Sequence, residues 1–282
     1  YSEAMRHLNE AINKESTANA EPGGDEPPTL TASASRVLMK VLYAARHARY
    51  DLLRCIGHLA TRVTKWDSED DADLYRLMCY IHSTLEHKLV GWVSENASLD
   101  SIEARLYTDA DFAGEKSTSK STSGIFVRLF GPGVDYPLTA ASKKQTCTAQ
   151  STPEAETIAA ELGVRTEAIP LMNILPTLLQ REEVSVTLCE DNNACLQNIR
   201  QGRFPTMKHV SRTHGVNVHF LVQTMNNDKI PLKLERCETD EQSADIFTKK
   251  FADKSKWASV IRMINIGLPS TFFKSHKTLP CA

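Results

Sequence analysis

The run Ile102-Glu103-Ala104-Arg105-Leu106-Tyr107-Thr108-Asp109 is rich in strand-forming residues and ends on an acidic one. Two similar runs follow at residues 124–130 and 134–140. The segments between the runs contain Ser-Thr-Ser and Gly-Pro-Gly sequences that are typical of turns. Three short strands in succession predict a meander, so we expect a β-sheet to begin near residue 102.

Beyond this meander the sequence predicts alternating helices and strands. Ser151-Thr152-Pro153-Glu154 favours a helix start, because Thr152 can cap the helix and Pro153 suits its first position. Glu156 is expected in the first turn of this helix. The remaining predicted elements are a strand at 184–189, helices at 192–200 and 210–223, a strand at 230–234, and a helix that opens at Thr239 with Gln242 at capping-box spacing. This order of elements is typical of an α/β domain.

Four acidic residues accompany these elements. Asp109 and Asp191 lie at predicted strands, whereas Glu156 and Asp245 lie on predicted helices. Carboxylates from separate elements suit a pair of hard divalent cations, because Mg²⁺ prefers oxygen ligands and keeps open positions for water and phosphate oxygens. The pattern therefore indicates metal-dependent cleavage of a nucleic-acid phosphodiester.

Three of these acids have a neighbouring acid as an alternative. Asp111 shares a side of the strand with Asp109, and the Tyr-Thr-Asp context favours Asp109. Glu154 is explained more simply as a capping or dipole-complementing glutamate. Glu190 is expected to face away from Asp191 on an extended strand.

The distribution of charge also bears on the substrate. The net charge of −2 is unusual for a protein that handles nucleic acid, but residues 192–236 contain seven basic and two acidic residues. A solvated helix face would also explain this excess. The residues that we predict to contact nucleic acid are Asn192, Arg203, Lys208 and Arg212.

Composition bounds the class of protein. A chain of 282 residues with 41% hydrophobic content can bury one substantial core and a second small one. Its seven cysteines include no Cys-x-x-Cys pair, so neither a zinc site nor a disulfide framework is indicated. The sequence has no apolar run of membrane-spanning length and no signal-peptide pattern, so we expect an intracellular protein without a membrane partner. Its start at Tyr1 suggests a fragment of a longer protein.

We predict four segments. Residues 1–35 are rich in small and polar residues and are expected to be a disordered tail or linker. Residues 36–97 show helical periodicity and predict a small helical unit, in which Asp67 or Ser68 caps a helix. Residues 101–251 form the α/β domain, and residues 252–282 are expected to add one helix and a tail.

Six motifs in the α/β segment resemble the ribonuclease H domain of copia-type LTR retrotransposon Pol polyproteins. They run in the family's order over roughly half of the chain. The matching pieces are Tyr107-Thr108-Asp109-Ala110-Asp111-Phe112-Ala113-Gly114, Lys120-Ser121-Thr122-Ser123-Gly124, Ser142-Lys143-Lys144-Gln145, Ser151-Thr152-Pro153-Glu154-Ala155-Glu156, Glu190-Asp191-Asn192 and Ala244-Asp245-Ile246-Phe247-Thr248-Lys249. The helical unit similarly resembles the segment that joins reverse transcriptase to ribonuclease H.

The resemblance implies a ribonuclease H-like α/β fold, with a five-stranded mixed sheet flanked by helices. It also implies that Asp109, Glu156, Asp191 and Asp245 ligate two Mg²⁺ ions, for which Mn²⁺ can substitute. The implied reaction is endonucleolytic hydrolysis of the RNA strand of an RNA–DNA hybrid, within a polyprotein that includes reverse transcriptase. Such a protein would act in a cytoplasmic particle or the nucleus.

A histidine with a near-neutral pKa would assist proton transfer during product release. His214 is our choice for this role, and His209 is the second candidate. Two departures from the family pattern, Phe112 in place of tryptophan and Lys249-Lys250-Phe251 in place of Lys-Pro-Leu, leave the four carboxylates intact.

Two other functions fit the same residues. One is a catalytically inactive remnant or host-adopted module that binds nucleic acid. The other is an integrase-like phosphotransferase, which typically uses three carboxylates and lacks the context of Asp245.

Overall fold

The computed structural model describes residues 30–115, 119–202, 218–227 and 230–273. The chain divides into two compact units, one of residues 1–88 and 268–282 and the other of residues 89–267. The predicted contacts Arg203, Lys208 and Arg212, and the histidines His209 and His214, lie outside the described residues. None of the helices in the described ranges combines the length and apolar character needed to cross a bilayer.

The described part of the first unit is helical. Its elements are α1 (Thr31–Ala48), a 3₁₀ turn at Tyr50–Leu52, α2 (Leu53–Arg62), a 3₁₀ turn at Val63–Lys65, α3 (Ser68–Ser83) and, after the second unit, α9 (Pro269–Phe272). Asp67 caps α3, as predicted, by accepting hydrogen bonds from the N–H groups of Glu69 (3.0 Å) and Asp70 (3.1 Å). The predicted linker boundary at residue 35 is wrong, because α1 already begins at Thr31 and buries Ala34 completely.

The second unit is built around one sheet. The strands are β1 (Lys88–Leu89), at the boundary of the two units, and, within the second unit, β2 (Trp92–Val93), β3 (Glu103–Glu115), β4 (Lys120–Gly131), β5 (Val134–Lys144), β6 (Val186–Glu190), β7 (Leu232–Arg236) and β8 (Ile266–Gly267). The order in the main sheet is β2-β5-β4-β3-β6-β7, and β1 pairs separately with β8. Strands β3 to β5 are antiparallel neighbours, whereas β6 and β7 run parallel to β3.

Helices complete this unit. They are α4 (Thr152–Gly163), which continues through a wide π turn (Val164–Ala168) into α5 (Ile169–Leu179), then α6 (Asn193–Gln201), α7 (Val218–Met225) and α8 (Lys254–Met263). Short 3₁₀ turns lie at Leu99–Ser101, Thr239–Glu241 and Ser243–Phe247. Apolar side chains from β3, β4 and β6 and from α4, α5 and α6 form the main core. The predicted ribonuclease H-like α/β fold is confirmed by this mixed sheet and its flanking helices.

Three details differ from the sequence-based expectation. The sheet has a sixth strand, because β2 pairs with the edge of β5 and so brings part of the predicted connection segment into this unit. Strand β3 continues past Asp109 to Glu115, because β4 pairs with it as far as Lys120. The helix predicted after residue 252 is α8, and it belongs to this unit, in which it buries Val260 and Ile261, and not to a separate C-terminal segment.

Candidate active site

Two of the four predicted ligands belong to neighbouring strands, Asp109 on β3 and Asp191 just after the end of β6. The parallel strands β3 and β6 are in a register that places Tyr107 opposite Cys189. Asp109 lies two residues beyond Tyr107 on β3, and Asp191 lies two residues beyond Cys189, so both lie towards the same end of the paired strands. The charge of Asp191 contributes to the raised pKa of Asp109. Asp109 is 2% exposed, whereas Asp191 lies just past the end of β6 and is half-buried.

The third ligand, Asp245, lies in the 3₁₀ turn Ser243–Phe247 that packs on β4. Gly124, which is paired with Asp109, permits this packing, since a Cβ atom there would lie 2.8 Å from the carbonyl oxygen of Ala244. The rings of Phe126 and Phe247 stack with centroids 6.3 Å apart. The turn therefore holds Asp245 over the strand pair that carries Asp109.

The predicted long helix at Thr239 is wrong. Two 3₁₀ turns replace it, because the Gln242 side chain takes a different role from that of a capping box. Its Oε1 accepts a hydrogen bond from the N–H of Ala244 (3.2 Å), and its Nε2 donates to the carbonyl oxygen of Thr108 (3.0 Å). Gln242 thus ties the turn to the residue before Asp109.

Thr248 and Lys249, which follow Asp245 in the same motif, contact the aspartates directly. The hydroxyl of Thr248 donates a short hydrogen bond to Oδ2 of Asp109. The ammonium of Lys249 lies 2.6 Å from Oδ1 of Asp245 and 3.5 Å from Oδ1 of Asp109. Burial raises the pKa of both aspartates, to about 6 for Asp245, although Lys249 opposes this shift. Thr248 and Lys249 belong to the motif at residues 244–249, but their contacts with the aspartates were not predicted from it.

Glu156 projects from α4 and is 4% exposed. It lies in the second turn and not the first, because α4 begins at Thr152, which therefore cannot be the predicted cap. Burial, and then the charges of Asp109, Glu190 and Asp191, raise the pKa of Glu156 to about 11. Its Oε2 is buried and has no hydrogen-bond partner within the described ranges.

The start of α4 is attached to the meander by Gln145. The side-chain nitrogen of this buried residue donates to the hydroxyl of Ser123 (3.0 Å) and to the carbonyl oxygen of Ala155 (2.9 Å). Farther along α4, Gly163 allows the helix to approach β3, since a Cβ atom there would lie 2.9 Å from Cγ2 of Thr108. These contacts fix the position of Glu156 relative to the two strands.

Glu190 is a fifth acid in this cluster, although it was expected to face away from Asp191. It is completely buried, and its carboxylate accepts hydrogen bonds from the N–H of Asn192 (3.0 Å) and the hydroxyl of Thr108 (3.4 Å). Burial, with the charges of Asp191 and Asp109, raises the pKa of Glu190 to about 8. Glu190 therefore does not point away from the site, because it belongs to the same group of interacting carboxyls.

This shift predicts a pH dependence of stability. The folded state keeps a proton on Glu190 up to a pKa of about 8, whereas an ordinary glutamate loses it near 4.5. The folded state thus binds more protons in this window, and the free energy of unfolding falls as pH rises. In EDTA, we expect the melting temperature to decline from pH 5 to pH 8, and less steeply in Glu190→Gln.

The exposed Glu183 supplies the control for this measurement. Glu183→Gln should follow the wild-type decline in melting temperature. An equally steep decline in Glu190→Gln would contradict the assigned pKa.

The alternative acids have structural partners. Asp111 Oδ1 accepts a short hydrogen bond from the N–H of Thr122, where the β3–β4 register shifts. Glu154 Oε2 accepts from the N–H of Gln150 (3.0 Å) at the start of α4. The predicted nucleic-acid contact Asn192 caps α6, since its Oδ1 accepts hydrogen bonds from the N–H groups of Ala194 and Cys195 (3.0 Å each).

The donor atoms at this site are of the type that hard divalent cations prefer. They are carboxylate oxygens, and one of them, Oε2 of Glu156, is buried without a partner within the described ranges. In the part of the chain that the structure describes, however, no three His, Cys, Asp or Glu side chains are already arranged to hold a metal ion. Asp109 and Asp245 instead direct oxygens at Lys249. The present geometry is therefore that of a lysine-bridged pair of aspartates.

A curated relative aligns with the chain over 144 residues at 32% identity. It is the retrovirus-related Pol polyprotein from transposon TNT 1-94 of Nicotiana tabacum, and the alignment covers 51% of this chain. The chain spans only 10% of that polyprotein's length. No protein-family profile matches the chain. The sequence is thus similar to a segment of a transposon Pol polyprotein.

Solved structures similar to this chain include three ribonucleases H. The LC11-RNase H1 isolated from compost aligns with 17% identity and a TM-score of 0.35, covering 52% of this chain and 92% of its own. The RNase H1 of Halobacterium salinarum NRC-1 has 12% identity and a TM-score of 0.34 over 52% and 94% of the two chains. The N-terminal RNase H domain of a Mycobacterium tuberculosis protein has 11% identity and a TM-score of 0.34 over 57% and 98%.

Proposed function

We propose that this chain contains a Mg²⁺-dependent ribonuclease H that cleaves the RNA strand of RNA–DNA hybrids internally. The observation that carries the proposal is the meeting of acidic side chains from four elements around Asp109. Asp191 follows the neighbouring strand β6 and its charge raises the pKa of Asp109, Asp245 shares the lysine partner of Asp109, and the charge of Asp109 raises the pKa of Glu156.

The proposed ligands of two Mg²⁺ ions, or of Mn²⁺ in their place, are Asp109, Glu156, Asp191 and Asp245. When bound, such ions would supply a water of lowered pKa and offset the charge on the reacting phosphate. The protein contributes the positions of the oxygens. Thr248 orients Asp109 through its hydrogen bond, and Gln242 anchors the turn of Asp245 to β3. Burial of these acids excludes bulk water, which strengthens their interaction with a cation.

The substrate follows from the resemblance of the motifs to copia-type elements. The aligned relative is a transposon Pol polyprotein. We therefore propose that the chain works beside a reverse transcriptase in such a polyprotein, in an intracellular particle or the nucleus. The helical unit would be the connection segment. Asn192, Arg203, Lys208 and Arg212 would contact the hybrid, and His214 would transfer a proton during product release.

Metal removal tests this function. The 282-residue chain should cleave the labelled RNA strand of an RNA–DNA hybrid in Mg²⁺ and should lose that activity in EDTA. The fall should be at least about a thousandfold, because the ions would supply several kcal/mol of transition-state stabilisation. Gel analysis of the RNA fragments measures the rate and shows whether cuts are internal.

Controls in this assay separate the alternatives. Double-stranded DNA of the same sequence should remain intact, whereas an integrase-like enzyme would act on DNA. Hybrid binding without any Mg²⁺-dependent product would instead identify an inactive binding module.

A further inference from the structure

Lys249 forms a bridge within the site. Its ammonium contacts Oδ1 of both Asp245 (2.6 Å) and Asp109 (3.5 Å). The side chains of these aspartates are only 10% and 2% exposed, respectively. Two buried carboxylates this close repel each other unless a cation lies between them. In the present arrangement, that cation is the ammonium of Lys249.

A divalent cation held by Asp109 and Asp245 would draw on the same two carboxylates. Oδ2 of Asp109 already accepts the hydrogen bond from Thr248, so Oδ1 is the oxygen that Lys249 occupies. A metal ion between Asp109 and Asp245 and the ammonium at its present position would place two cations at one pair of oxygens. Binding of a metal ion at these oxygens and binding of the Lys249 ammonium therefore oppose each other.

Lys249 is able to leave this position. Its side chain is 40% exposed, in contrast to the two aspartates, and its long flexible stem reaches solvent. Its withdrawal requires no movement of β3 or of the 243–247 turn. The bridge can thus open without disruption of the core.

We propose that Lys249 is a displaceable counter-cation, which pairs Asp109 with Asp245 in the metal-free protein and competes with a divalent cation for their oxygens. This inference rests on the proposed function in one respect, namely that a divalent cation binds these carboxylates. Lys249 is accordingly a positioning residue that adjusts metal affinity.

Binding of Mn²⁺ alone tests the competition. In calorimetric titrations of the 282-residue chain, Lys249→Met should bind Mn²⁺ at least about tenfold more tightly than wild type, because the competing charge is gone. Lys249→Arg retains the charge, and its guanidinium can donate two hydrogen bonds to a carboxylate. This variant should therefore bind Mn²⁺ no more tightly than wild type. The neighbouring exposed Lys250 provides the matched control, and Lys250→Met should bind as wild type does.

The metal-free melting temperature gives a second readout. Lys249→Met should melt at a lower temperature than wild type in EDTA, and saturating Mn²⁺ should raise its melting temperature by more than that of wild type. Equal or weaker Mn²⁺ binding by Lys249→Met overturns the proposal, as does the absence of Mn²⁺ binding in every variant. If Lys249→Met does not fold, tighter Mn²⁺ binding by Lys249→Arg than by wild type overturns it.

The hybrid-cleavage assay keeps this inference separate from the function. Failure of the wild type to cleave a hybrid contradicts the ribonuclease activity but leaves the order of Mn²⁺ affinities to be measured. Cleavage together with unchanged Mn²⁺ affinity in Lys249→Met contradicts only the role of Lys249.

Discussion

Asp109→Asn should lower the rate of hybrid cleavage in saturating Mg²⁺ by at least about a thousandfold, the equivalent of about 4 kcal/mol in the barrier. Asparagine has the shape of aspartate, but it has no charge and only one acceptor oxygen. It can therefore neither offset the charge of a divalent cation nor keep both contacts that Asp109 makes to Thr248 and Lys249.

Asp111→Asn is the matched control, because Asp111 is two residues away on the same strand. Its Oδ1 accepts the backbone N–H of Thr122, and the carbonyl oxygen of asparagine can do the same. We expect its cleavage rate to stay within about tenfold of wild type. Circular dichroism should show that both variants fold. Equal rates for the two variants would contradict the assignment of Asp109.

Glu156→Gln should reduce cleavage by at least about a hundredfold, yet leave the stability of the metal-free protein almost unchanged. The two effects separate because the pKa of Glu156 is raised to about 11 in the metal-free protein, so the residue is protonated at neutral pH. Glutamine has nearly the size and polarity of protonated glutamate. It cannot become a carboxylate when a metal ion would require one.

Glu154→Gln is the control within the same helix. Glu154 is as buried as Glu156, but its Oε2 accepts the N–H of Gln150, a bond that a glutamine carbonyl can make. Its cleavage rate should remain within about threefold of wild type. Steady-state rates and melting curves in EDTA measure both effects. A large loss of metal-free stability in Glu156→Gln would show that the residue is ionised in the folded state.

Local patterns were sufficient for most of the order of the elements, although the helix expected at Thr239 is two 3₁₀ turns. The meander, the helix that starts near Pro153 and the later parallel strands were predicted, because strand-forming runs and turn residues act over a few positions. Boundaries were less accurate where pairing decides them. Strand β3 runs on to Glu115 because β4 continues beside it, and β2 was missed because only the edge of β5 makes it a strand.

The sequence by itself determined which acids lie on β3, just after β6 and on the elements beside them, because each has a recognisable local context. The tertiary structure alone decided how they interact. The deciding contacts join residues that are far apart in the chain. They are the hydrogen bonds from Gln242 to Thr108 and from Thr108 to Glu190, and the contacts of Thr248 and Lys249 with Asp109. Such contacts depend on strand register and on how closely a turn approaches a glycine, and neither is encoded in any short stretch of sequence.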